Sequence, residues 1–152
     1  MKKLENQIKQ LATFLPDFER VNSDVSAASV GWHIEHSLLV IKQITATVAQ
    51  SDPKVYQYKF NFTRFWVYLF NYIPRGKAKA PKVVIPGEGL NLKALEESVA
   101  HAIQAVAYLK GCQKNQHFMH PFFGVLNQQQ TIRFLAIHTR HHMKIIKDIM
   151  KQ

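Results

Sequence analysis

Cysteine is almost missing from this chain of 152 residues: Cys112 stands alone. A single thiol excludes an internal disulfide and any zinc site built from several thiolates. Acidic residues are scarce too, ten Asp and Glu against twenty Lys and Arg, for a formal charge of +10. The basic residues are spread over the first helical stretch, the central loop and the outer face of the last helix, with no motif for reading a groove or a base. Such a pattern is a solvated exterior with a mild attraction for anionic small molecules, and specific nucleic-acid binding is not expected from it. Long apolar runs are lacking as well. The most apolar stretch, residues 60–73, is too short to span a bilayer and carries Arg64. The opening residues MKKLENQIKQ contain no apolar leader segment. These absences point to a cytoplasmic protein with no membrane partner.

What remains is a helical pattern. A hydrophobic content of 47% over this length supports a single domain, residues 1–152, with a real core. Leu4, Ile8, Leu11 and Leu15 recur at three- and four-residue steps and predict a first helix over residues 3–15, ended by Pro16. Ser29 caps a second helix running to about Gln50, in which Gly31 lets another segment approach closely. The run FTRFWVYLF predicts a short third helix, with its Phe, Trp and Leu stripe read as core and not as a base-stacking surface. Residues 74–89, with three prolines and three glycines, form a long loop that arches over the site. Asn91 caps a fourth helix with a stripe of Leu92, Leu95, Val99, Ala102, Ile103 and Val106, and Gly111 terminates it. His101 lies opposite that stripe, exposed, and Cys112 is structural. In the HPFFG run, Phe122 and Phe123 plug the bundle end. Asn127 and Gln130 resemble a capping box for the last helix. With no strand or repeat evident, the fold class expected is all-α, an antiparallel four-helix bundle with one extra short helix.

The last helix holds the chemistry. At about 100° per residue, Leu135, His142, Ile146 and Ile149 share one arc with His138 at its edge, while Arg133, Arg140, Lys144 and Lys147 lie opposite. His138 and His142 are thus one turn apart on the inward face, where an imidazole must be hydrogen-bonded or ligate something. Two histidines at this spacing can reach one cation. His36 on the second helix would complete a three-imidazole set with no carboxylate or thiolate. A site with three protein ligands keeps a coordination position open to water or substrate. His33, one turn from His36, is a second candidate on that helix. Glu35, His33, His120 and His141 are the candidates for groups that hold the ligands' other N–H or move protons.

The order of these motifs is familiar. Ser29-Val-Gly-Trp-His-Ile-Glu-His36, the closing His138-Thr-Arg-His-His142, and between them the runs from Pro74 to Lys82 and from His120 to Gly124 make the chain resemble the DinB/YfiT-like metalloenzyme superfamily of four-helix bundles. The likeness covers essentially the whole chain. Where that family carries a tryptophan just ahead of the capping Ser or Thr, this chain has Ala28, and its tryptophan is Trp32. The resemblance implies a divalent metal (zinc, nickel or iron) on His36, His138 and His142. It also implies a small-molecule substrate, with a transferase joining a low-molecular-weight thiol to an electrophile, or a hydrolase, as the activity. Homodimers are common among such bundles. The rival expectations are a non-catalytic metal- or ligand-binding bundle, and a basic module for nucleic acid or protein.

Overall fold

The computed structural model describes residues 2–76 and 80–151, so positions 77–79 of the expected loop lie outside the described residues. Its elements are α1 (Lys2–Ala12), α2 (Val30–Gln50), α3 (Phe62–Phe70), α4 (Leu92–Gly111), β1 (His117–His120), β2 (Gly124–Asn127) and α5 (Gln128–Ile149). Helices α1, α2, α4 and α5 pack on one another around one apolar core. The all-α expectation needs a correction, because β1 and β2 pair antiparallel as a hairpin, with His117 opposite Asn127 and His120 opposite Gly124. The fold is therefore mostly helical with a small two-stranded sheet.

Helix α1 stops sooner than the apolar spacing suggests. Pro16 has no N–H and its ring excludes a helical turn behind it, so the chain tightens into a 3-10 turn at Leu15–Asp17. Leu4, Ile8 and Leu11 are fully buried as the spacing requires. In α2 the Ser29 hydroxyl accepts the Trp32 amide, a side-chain cap. Gly31 meets the chain that follows α1: its amide donates to the Phe18 carbonyl at 2.7 Å, and a Cβ there would lie 2.9 Å from that oxygen. Gly31→Ala should therefore destabilise by about 1–2 kcal/mol, the backbone clash outweighing the helix-propensity gain of roughly 1 kcal/mol. Urea unfolding of the two proteins checks this; equal or higher stability of the alanine variant would contradict it.

Helix α4 starts at the Asn91 cap and buries Leu95, Ala102, Val106 and Leu109, but Leu92 and Ile103 are exposed. Gly111 is its last residue, and Cys112 in an extended conformation ends it. The hairpin owes its turn to HPFFG: Pro121, Phe122 and Phe123 form the loop, and Gly124 at φ 68° takes the left-handed position that glycine accepts without strain. His120 Nδ1 accepts the Phe122 and Phe123 amides, and its ring stacks on Phe123 at 4.2 Å. Phe123 is buried, whereas Phe122 points to solvent and plugs nothing. Asn127 and Gln130 form the full capping box at the start of α5.

The largest departure is α3. Its stripe of Phe62, Phe65, Trp66, Leu69 and Phe70 is exposed, and the buried residues are Arg64 and Tyr68. Arg64 donates to the backbone carbonyls of Phe123 (3.2 Å), Val125 (2.8 Å) and Lys59, and Tyr68 donates to the carbonyl of Gln130 at 2.6 Å. The polar face of the helix is tied inward by directional bonds to backbone carbonyls, so the apolar face turns out.

Candidate metal centre

Helices α2 and α5 lie side by side, and at their contact four imidazoles gather. His36, His138 and His142 each offer one ring nitrogen, all within 4.8 Å of one another. The ring centroids of His36 and His142 are 4.7 Å apart, those of His138 and His142 4.6 Å, and those of His36 and His138 5.2 Å. Among the described residues no carboxylate or thiolate joins them. Three imidazoles at this separation could hold one metal ion.

The surrounding bonds direct which nitrogens are available. His36 Nδ1–H donates to the Val84 carbonyl at 2.7 Å, which leaves Nε2 as its ligating atom. Val84 is buried in a short 3-10 turn of the 74–89 loop, so the described part of that loop does lie over the site. Trp32 stacks on the His36 ring at 4.9 Å and 13°, holding its plane. His142 Nδ1 lies 3.0 Å from His33 Nδ1, and His33 Nε2 lies 3.0 Å from Ser26 Oγ, which also accepts the Ala28 amide. One proton arrangement gives His142 a free lone pair at Nε2: His142 Nδ1–H donates to His33, and His33 Nε2–H donates to Ser26. This is the relay that fixes the tautomer of a ligating imidazole. His138 Nδ1 is buried with no hydrogen-bond partner. An orphaned imidazole nitrogen beside two rings with free lone pairs is the donor set a divalent ion would satisfy.

Every shifted imidazole in this region is pushed in one direction. Burial, then repulsion from His36, His141 and Arg75, lowers His33 to about 4, and burial alone lowers His120 to about 4. His138 and His142 fall well below the ordinary value through burial and then the neighbouring imidazoles. Burial also lowers His36, against the opposing Val84 carbonyl. These rings are therefore neutral at pH 7, the form that ligates metal. The same shifts predict acid sensitivity. With folded values depressed below about 6.5, the unfolded chain takes up protons that the folded chain refuses as pH falls. Stability should be intact above about pH 6.5 and decline towards pH 4, each such ring contributing at most about 1.4 kcal/mol per pH unit. Denaturant midpoints at pH 7.5, 6 and 5 measure it; a flat profile would contradict the burial of neutral rings.

The remaining expected residues divide. His33 is not in the three-ring group but is bonded to His142. Glu35 faces α4 instead, paired with Lys42 at 3.3 Å, and Lys42 in turn donates to Ser98 at 2.7 Å. The Nδ1 of His120 is committed to the hairpin turn. The His141 ring stands edge-on to His142 at 5.1 Å and lines a cleft of about 220 Å³ together with Tyr72, Arg75, Arg140 and Lys144. Arg75 is ion-paired with Asp148 at 2.7 Å; Arg140 and Lys144 are in no ion pair among the described residues. Sequence reasoning missed Ser26, which sits in a stretch that reads only as a polar connection, and the Val84 carbonyl, which as backbone has no signature at all. Among the described residues no helix is long and apolar enough to cross a membrane. Comparison with known protein families, with curated proteins and with solved structures returns no match.

Proposed function

We propose that this chain is a metalloprotein with a DinB/YfiT-like four-helix bundle, holding one divalent ion, zinc, nickel or iron, on His36, His138 and His142. The observation that carries the reading is the convergence of three neutral imidazoles from two helices, two of them with Nδ1 already engaged elsewhere. The order of the sequence motifs supports the family. With three protein ligands the site keeps a position for an exogenous molecule. The chemistry supplied by such an ion is activation of a water or a thiol as a nucleophile near neutral pH. This fits a transferase joining a small thiol to an electrophile, or a small-molecule hydrolase.

The protein's own part is positioning. Val84 and Trp32 fix the ring of His36, and Ser26 and His33 fix the tautomer of His142. Arg140 and Lys144 line the same cleft as His141, whose ring touches that of His142, and would attract an anionic substrate to that side of the site. His141 is lowered, chiefly by burial, and accepts a proton from the incoming nucleophile. The test is to strip the metal, reload it, and assay thiol conjugation to an electrophile alongside ester and amide hydrolysis. Activity that appears on reloading, and that His141→Asn lowers by about 10²-fold or more with metal content unchanged, supports the assignment. A loaded protein inert in both assays would favour a metal site without catalysis.

A further inference from the structure

Helix α3 carries its apolar face outward, and the packing holds it there. By the 100° step of a helix, Phe62, Phe65, Trp66, Leu69 and Phe70 cover an arc of about 140°. They are 45–72% exposed. Burying them would require rotating the helix, which would withdraw Arg64 from three backbone carbonyls and the Tyr68 hydroxyl from the Gln130 carbonyl. An exposed apolar surface of this continuity on a folded chain marks an interaction face.

Two observations select its partner. The first is charge. Residues 53–87 contain seven Lys and Arg and not one Asp or Glu; with Arg64 buried and Arg75 ion-paired to Asp148, the lysines are the segment's cations, on a chain whose formal charge is already +10. Exposed Lys54 and Lys59 lead directly into α3. A second copy would bring the same cations to the contact, with no carboxylate from this segment to pair with them. An anionic surface complements it. The second is the arrangement of the rings. Phe60 packs against Phe62 at 5.0 Å and Phe65 at 6.0 Å, Phe65 against Trp66 at 5.2 Å, and Trp66 stacks on Phe70 at 5.6 Å and 8°. The rings pack on one another, mostly edge to face, into one continuous apolar cluster, whereas single-stranded nucleic acid takes a basic groove whose rings are presented to successive bases.

We infer that the α3 face docks this protein on an anionic lipid surface. The Phe and Leu side chains enter the boundary between headgroups and acyl chains, Trp66 sits at headgroup depth, and the flanking lysines meet lipid phosphates. This is attachment to one leaflet: α3 has nine residues, far below the ~20 needed to span. The sequence expectation of no membrane partner rested on the missing spanning segment and on reading this stripe as core. The inference is independent of the metal site.

The test uses the full chain with vesicles of phosphatidylcholine alone and with about one-third phosphatidylglycerol, in a flotation assay. Flotation with the anionic vesicles only, reversed by high salt and accompanied by a blue shift of tryptophan emission, is the expected result. Phe65→Ser/Phe70→Ser, which alters exposed side chains only, should lower partitioning about tenfold or more with the circular dichroism spectrum unchanged, and His142→Ala should leave partitioning as it is. No flotation with either vesicle overturns the inference, as does equal binding to both. A concentration-dependent dimer abolished by the same double substitution would assign the face to a second copy. Oligo(dT) binding lost in that variant would assign it to single-stranded nucleic acid.

Discussion

His142→Ala should weaken metal binding by about 100-fold or more. His142 is the residue common to both parts of the site: it belongs to the three-ring group and is bonded to the His33–Ser26 relay. Structural zinc sites are worth about 10–16 kcal/mol in apparent terms, so one ligand of three or four carries roughly 3 kcal/mol, about 100-fold in affinity. Loss of the relay acts in the same direction, since a partner that orients a ligating imidazole is worth about 10- to 100-fold. The substitutions should therefore rank. His142→Ala and His138→Ala cost the most and His33→Leu an intermediate amount. His141→Ala, which removes a neighbour and no ligand, should leave affinity within about threefold of wild type. Competition titrations against a chelating dye give the order. A His141 variant as weak as the His142 variant would mean that the wrong pair of the three clustered histidines has been assigned.

Arg64→Met should lower stability by about 3–5 kcal/mol. Arg64 is 4% exposed, and its guanidinium has no carboxylate partner among the described residues. Its charge is accommodated by the carbonyls of Phe123, Val125 and Lys59 and by the ring of Tyr58 at 5.2 Å. Methionine fills similar volume but donates nothing, so three buried or half-buried carbonyls lose their partner at roughly 1–3 kcal/mol each, softened where water can reach them. Because two of those carbonyls belong to the hairpin, α3 and the hairpin should loosen together. A melting temperature about 10 °C lower is expected for a chain of this size. A melting temperature within about 2 °C of wild type would mean that the polar face of α3 does not anchor it.

The helices were legible where periodicity and caps agree. Leu4, Ile8 and Leu11 are buried at their predicted steps, and Ser29, Asn91 and Asn127 cap the helices they were expected to cap. The spacing of His138 and His142 gave the pair, and the structure gathers them with His36 rather than His33. The hairpin escaped because four-residue strands carry too little alternation, although the Pro121 to Gly124 turn was its signal. The inversion of α3 escaped for a different reason. Apolar residues are inside by default, and here the hairpin carbonyls of Phe123 and Val125 hold Arg64 inward instead. Such a preference depends on residues some sixty positions away and has no local trace.

The most direct test of the central claim is X-ray absorption spectroscopy at the metal edge on the loaded, untagged protein. One ion per chain with three imidazole nitrogens at about 2.0–2.1 Å and an exogenous oxygen, such as water, completing the sphere is the result this account predicts. A sulfur scatterer from Cys112, fewer than three imidazoles, or failure to load any divalent ion would contradict it. In the last case His36, His138 and His142 would be core packing.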